Sequence, residues 1–346
     1  MLLTSLLCAL LLEYYFPLKN GLFEVFASRV INWARNKLDI GDWKLAAMVW
    51  LAVVIIPASF FWVIWYLLML AHPFLGLVFL TLLLYLSLGF KQYLDRFSNI
   101  RKHLISSDVD KAKNFLSDWS AKEHSDPVLQ EVSKTGDHNQ ISREAIKLLV
   151  VSLHRNLFSV IFWYLILPGP LGLVAYKFSV LTKRIWSEEL QGALEEKTVS
   201  EDGEPDPLSF SEENYFDSIS KKGFFWFDWI SCRVTAFVFA VVGNFEDVVA
   251  MIRASSAGNF EGGHDSERII LAAGEGAMTF RLTVPTALSG KRQLENFDSD
   301  IQSHVDLRDP DENSMVVASG LMWRSLILFL TILLLTTFGW FANLIH

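Results

Sequence analysis

Between Lys44 and Lys91 the chain has no Lys, Arg, Asp or Glu. This gap of 46 residues, 45–90, is filled with Leu, Val, Ile, Phe and Trp. As one helix it would measure about 69 Å, roughly twice the hydrocarbon core of a bilayer. One crossing of that length does not fit, so the run predicts two crossings joined at Ala71-His72-Pro73. Pro73 lacks an N–H and steers His72 away from helical backbone, which suits an apex. The expected fold class is therefore all-α: a polytopic helical membrane protein with five or six membrane segments and helical or irregular polar loops.

Composition fits that class. Apolar residues make up 52% of the chain, with 27 Phe and 12 Trp, yet charged residues still reach 20% and cluster between the apolar runs. The net charge of −8 argues against a nucleic-acid partner, because phosphate binding needs a basic face. The two cysteines, Cys8 and Cys232, sit in apolar surroundings and form neither a disulfide framework nor a zinc pattern. Leu2 to Leu12 is apolar without a basic stretch before it or a small-residue cleavage site after it. It reads as a short retained membrane segment anchored by Tyr14-Tyr15.

Four further apolar runs follow the hairpin's first half: Pro73–Phe90, Asn156–Tyr176, Phe224–Phe245 and Ser325–His346. Pro168-Gly169-Pro170 interrupts the second of these. Basic residues set orientation. Lys91–Arg155 holds eleven and Lys19–Lys37 four, and both flank the hairpin, so both are expected on the cytoplasmic side. Whether Thr182–Lys222, with five basic and eleven acidic residues, lies inside or outside depends on whether the Pro-Gly-Pro segment spans or folds back. The expected organisation is membrane segments and hairpin (1–90), a helical cytoplasmic loop (91–155), a membrane core (156–250) with an acidic linker (182–222), a polar segment of short elements (251–320) and a last transmembrane helix (321–346).

Within the loop, Ser107-Asp108 is placed to cap a helix carrying Ala112, Phe115, Leu116 and Trp119 on one stripe. Asp126-Pro127 can begin another helical turn, and Ser142–Arg155 aligns Ile146, Leu149, Val150 and Leu153. The charges between them read as a solvated face. Glu201 to Pro207 reads as a disordered acidic linker.

Few residues suggest chemistry. There is no phosphate loop and no nucleophile elbow, and Ala273-Gly274-Glu275-Gly276-Ala277 has the wrong spacing and no Lys for a nucleotide. No histidines have metal spacing, and no metal site is expected. The costly feature is Asp228 and Arg233 inside an apolar run, five residues apart and so not directly paired on a helix. Each needs another partner, an aqueous cavity or the headgroup region. His154-Arg155, at the mouth of the apolar segment that follows, is either a second polar cluster or a positive-inside anchor.

Three stretches then carry a resemblance. Phe162-Trp163-Tyr164 with Pro168-Gly169-Pro170-Leu171-Gly172 through Tyr176 resembles the Phe-Trp and Gly-Pro-Gly-x-x-x-Tyr-Arg element of the CobD/CbiB family. Phe227-Asp228-Trp229-Ile230-Ser231-Cys232-Arg233-Val234-Thr235-Ala236 resembles that family's Trp-Ile-Pro-Ala-Arg-Leu-Thr-Ala helix. Leu271 to Leu282, with Gly274, Gly276 and Arg281, resembles its Ala-x-Ala-Gly-Ala-Leu-Gly-Val-Arg-Leu element. Together the three cover residues 140 to 285. Family members are membrane-bound adenosylcobinamide-phosphate synthases of cobalamin biosynthesis. The chain departs from them where they carry acids: Leu157-Phe158, Lys183 and Phe224-Phe225 stand in those places. Its Leu10-Leu11-Leu12-Glu13 opening, its hairpin and its Asp-Trp-Ile-x-x-Arg also resemble AmpE, which shares the scaffold without the full synthase motif.

The resemblance implies a multi-pass protein of a bacterial inner membrane with a regulatory or ligand-binding role, with no catalytic residue identified. His154, Arg155, Trp163, Gly169, Gly172, Tyr176, Asp228, Trp229, Arg233, Gly274, Gly276 and Arg281 are its expected ligand-contacting residues. The expected partners are the bilayer and either a small anionic or corrinoid-like ligand or a membrane or periplasmic protein. No cofactor is expected. The enzymatic alternative is an amide-forming synthase using ATP and magnesium. A third class is a transporter, suggested by charges at membrane depth near a Pro-Gly-Pro break.

Overall fold

A computed structural model describes residues 1–17, 22–37, 43–123, 136–199, 207–257, 265–282 and 307–345. Among these residues the regular structure is helical, with one isolated bridge between Phe280 and Arg308. The helices are α1 (Leu2–Tyr15), α2 (Leu22–Lys37), α3 (Trp43–Ala71), α4 (Pro73–Ser87), α5 (Phe90–Ile105), α6 (Val109–Glu123) and α7 (His138–Leu153). A π-helical turn (His154–Phe158) leads into α8 (Ser159–Ile166), followed by α9 (Leu171–Val199), α10 (Pro207–Val242), α11 (Phe245–Ala257), α12 (Asp265–Met278) and α13 (Ser314–Ile345). Five stretches are long and apolar enough to cross a membrane: Trp43–Ala71, Pro73–Ile105, His138–Ile166, Tyr215–Val242 and Ser314–Phe338. The protein is a multi-pass helical membrane protein.

The hairpin turns where the sequence places it. His72 is the single residue between α3 and α4, its backbone is extended, and its Nδ1 accepts from the Phe74 N–H at 3.2 Å. Pro73 opens α4, where a missing N–H costs nothing. Other boundaries differ from the sequence expectation. The run 156–176 is not one segment: α8 ends at Ile166 and α9 starts at Leu171, with Gly169 between them in the left-handed region at φ 62°. The membrane-length helix begins upstream instead, at His138. Asp137 caps it in a capping box with Gln140, so the start lies four residues before Ser142. Asp108 does cap α6 and also meets Lys111 at 2.5 Å, which holds its carboxyl below the usual carboxylate range. Thr182–Lys222 is no plain linker, because α9 runs to Val199 and α10 begins at Pro207. Residues 201–206 and the Asp126-Pro127 turn lie outside the described residues.

The chain forms two compact units. The first comprises 1–88 and 159–228. Here α1 packs on α4, the Tyr85 hydroxyl donates to the Phe16 carbonyl at 2.6 Å, and Ser5 and Tyr164 share a buried hydrogen bond of 2.6 Å. α9 packs on α3 and α2, with Phe23 edge-on to Phe178. α9 and α10 run antiparallel in one register. Trp186 packs on Phe216, Ser187 donates to Asp217 at 2.6 Å, Lys183 lies 4.6 Å over the Phe224 ring, and Tyr176 reaches Asp228.

The second unit comprises 89–158 and 229–346. α5, α6 and α7 pack together through Tyr93, Phe97, Ile100, Leu116 and Trp119 and the expected stripe Ile146, Leu149, Val150 and Leu153, all buried. Of the α6 stripe only Phe115 faces outward. α11 lies against α12, and α12 and α13 against α7. Asp311 starts α13: its Oδ1 accepts from the Ser314 hydroxyl at 2.6 Å and the Ser314 N–H at 2.8 Å. These bonds hold the Asp311 carboxyl below its ordinary value. A depressed carboxylate stabilises above its unfolded pKa of about 3.9, and the gain disappears as pH falls through the lower folded value. Asp311→Ala is therefore expected to cost about 1 kcal/mol at neutral pH. Thermal unfolding across pH should show mutant and wild type converging only on the acid side of the carboxylate range.

Candidate functional site

The residues singled out in the sequence divide between the two units. In the first, Trp163, Gly169, Gly172, Tyr176 and Asp228 surround the break between α8 and α9. Both glycines are there for close approach. A Cβ on Gly172 would lie 2.1 Å from the Trp163 carbonyl oxygen, and one on Gly169 would lie 2.6 Å from the Trp65 ring. So α9 returns directly along α8, and the Pro-Gly-Pro turn is what allows it. The Trp163 indole N–H donates to the Phe227 carbonyl at 3.2 Å, and its ring packs on the Phe227 ring. Tyr176 and Asp228 are both buried, and the Tyr176 hydroxyl donates to Asp228 Oδ1 at 3.1 Å. A carboxylate at this depth needs such donors, because an unmatched buried charge costs several kcal/mol.

In the second unit, His154 and Arg155 open the π-helical turn. The extra residue of such a turn shifts the side chains that follow it, and these turns concentrate at functional positions. His154 is buried, and its Nδ1 lies 3.1 Å from the Thr235 hydroxyl. That hydroxyl also lies 3.0 Å from the Ser231 carbonyl, one turn back on the same helix. Arg155 pairs with Glu267 at 2.7 Å, and the Cys232 thiol meets the Ser266 carbonyl at 3.3 Å. A ring of polar contacts thus joins the π turn, α10 and the first turn of α12.

The expected partnership of Arg233 takes a different form. Asp228 faces the interior, whereas Arg233 is exposed. Its guanidinium folds back on its own helix, donating to the Trp229 carbonyl at 2.9 Å and lying 3.8 Å over the Trp229 ring. No polar pocket encloses it among the described residues of its unit.

Gly274 and Gly276 are in the interior of α12, not in a loop. A Cβ on Gly276 would fall 2.5 Å from the Val248 Cα, so this glycine is where α12 touches the α11 backbone. Arg281 is held through its main chain. Its N–H donates to the Arg308 carbonyl at 2.9 Å, and its carbonyl accepts from Arg143, which also pairs with Asp309 at 2.7 Å.

Sequence reasoning missed several polar groups here. Glu275 is 2% exposed, and its Oε1 accepts from the Leu282 N–H at 2.6 Å, closing the left-handed turn at Thr279 after α12. Glu13, Lys177 and Asp217 are also buried. Asp217 had a readable signal, Lys221 four residues on, which it meets at 2.6 Å. Glu13 and Lys177 had none beyond their apolar neighbours.

Compared with family models, with curated proteins and with solved structures, the chain matches none.

Proposed function

We propose that this chain is a non-enzymatic protein of a bacterial inner membrane, regulatory or ligand-binding, built on the scaffold shared by the CobD/CbiB family and AmpE. One observation carries the reading. Of the positions that match the synthases' acids, Leu157, Phe158 and Phe224 are buried apolar side chains and Lys183 is a cation. Leu157 and Phe158 are fully buried, and Phe158 stacks on Phe329 and packs edge-on to Phe239. Phe224 is buried between Tyr176 and the Lys183 ammonium. Joining a carboxylate to an amine at the expense of ATP requires magnesium held by carboxylates and charge control of phosphates. Side chains of this kind at those positions supply neither.

Four buried or half-buried polar residues in or just before the resembling stretches are committed to internal contacts, whereas Arg233 is exposed. Asp228 serves Tyr176, His154 serves Thr235, Arg155 serves Glu267 and Glu275 serves the turn after α12. These contacts support a scaffold that holds a shape over one that turns over a substrate. The test is complementation of a bacterial strain lacking adenosylcobinamide-phosphate synthase. The expected result is no cobalamin-dependent growth at normal expression, with the protein detected in the membrane. Robust growth that Asp228→Asn abolishes would instead favour the amide-forming synthase.

A further inference from the structure

The outer face of α10 beyond Asp228 carries an arginine in apolar company. Trp229, Ile230, Arg233, Phe237 and Val241 are all exposed, and their spacing places them along one stripe of the helix. The stripe belongs to a membrane-length helix. A guanidinium has five N–H donors and no acceptor. Among the described residues Arg233 uses one of them, on the Trp229 carbonyl, and one face of its plane is covered by the Trp229 ring. The Arg233 side chain is exposed, next to side chains that suit acyl chains. Leaving guanidinium donors without an oxygen acceptor in a membrane is costly, and no described residue supplies a further one, which leaves the site open to an external acceptor.

We propose that this stripe binds an anionic phospholipid. The phosphate sits on the Arg233 guanidinium and an acyl chain lies along Phe237 and Val241. Charge and shape select this occupant. Phosphate matches the planar fork of arginine, and stacking on Trp229 fixes the plane in advance, so little rotamer freedom is lost on binding. A free anion would satisfy Arg233 but would leave the apolar remainder of the stripe without a role. The inference does not depend on the family reading above.

The test uses the full chain in phosphatidylcholine vesicles containing a minor fraction of brominated phosphatidylglycerol or brominated phosphatidylcholine. The Trp229 signal is taken as the difference between wild type and Trp229→Phe. The expected result is stronger quenching by the anionic lipid. Arg233→Gln should reduce that preference by about tenfold, the loss of one charge-assisted contact, and Arg233→Lys should retain part of it. Adding inorganic phosphate should change nothing. Equal quenching by both lipids in the wild type overturns the proposal, whatever the variants do. Relief by inorganic phosphate assigns the site to a free anion. An unchanged preference in a well-inserted Arg233→Gln removes the arginine from the contact and overturns the proposal.

Discussion

Gly172→Ala is expected to abolish most of the folded protein, although it adds a single methyl group. The new Cβ would lie 2.1 Å from the Trp163 carbonyl oxygen and 2.8 Å from its carbonyl carbon. Both are backbone atoms, so no side chain can rotate out of the way. The same carbonyl accepts from the Leu167 N–H at 3.1 Å at the end of α8, which limits its movement further. Moving α9 away would also loosen the register it keeps with α10, including the buried Tyr176–Asp228 hydrogen bond. Overpacking alone costs about 1–3 kcal/mol, and a shift that exposes a buried carboxylate adds to it. Gly320→Ala is the matched control, because a Cβ there meets nothing within 4 Å. It lies inside α13 and should be neutral or stabilising by up to about 1 kcal/mol. Thermal unfolding of both variants in detergent, with membrane yield, measures the contrast. A Gly172→Ala protein as stable as Gly320→Ala would disprove the tight return of α9 along α8.

A second contrast lies inside one five-residue stretch. Gly276→Ala is expected to destabilise by about 2–3 kcal/mol, because its Cβ would press on the Val248 N and Cα and on the Asp247 carbonyl carbon, all within 2.7 Å. Gly274→Ala, two residues earlier, should be tolerated or mildly stabilising. Its nearest atoms are the ends of the Met278, Leu282 and Val150 side chains at 3.6–3.7 Å, ordinary packing distance, and alanine favours the helix. Unfolding midpoints of the two variants decide the matter. Equal effects would mean that α11 does not lie against α12 at Gly276. The same pair bears on the glycine-rich appearance of Ala273–Ala277, since a phosphate-cradling loop would need both glycines for backbone approach.

Much of the architecture was legible in the sequence because lipid imposes a simple rule: a spanning segment must be long, apolar and helical. The charge-free run 45–90 therefore identified its two helices, and the proline at 73 marked the turn to within one residue. The heptad-like stripes of α6 and α7 were readable for a related reason, since burial there follows helical period. Boundaries set by short polar signals were less legible. The α7 start at Asp137 depends on a reciprocal bond with Gln140, five residues before Ser142, where the apolar stripe starts to read as a helix.

By itself the sequence determined the class of molecule, the hairpin, the apolar faces and the presence of charges that needed partners. Tertiary structure alone decided which partners they have. Asp228 and Arg233 look equivalent in sequence, yet one is buried against Tyr176, fifty-two residues away, and the other folds over Trp229 at the surface. Helical rotation separates them by about 140°, so the neighbours of α10 on each side determine their fates. The same holds for the glycines. Gly172, Gly274 and Gly320 are interchangeable as letters, and only the backbone carbonyl that would lie 2.1 Å from a Cβ on one of them makes its missing side chain indispensable.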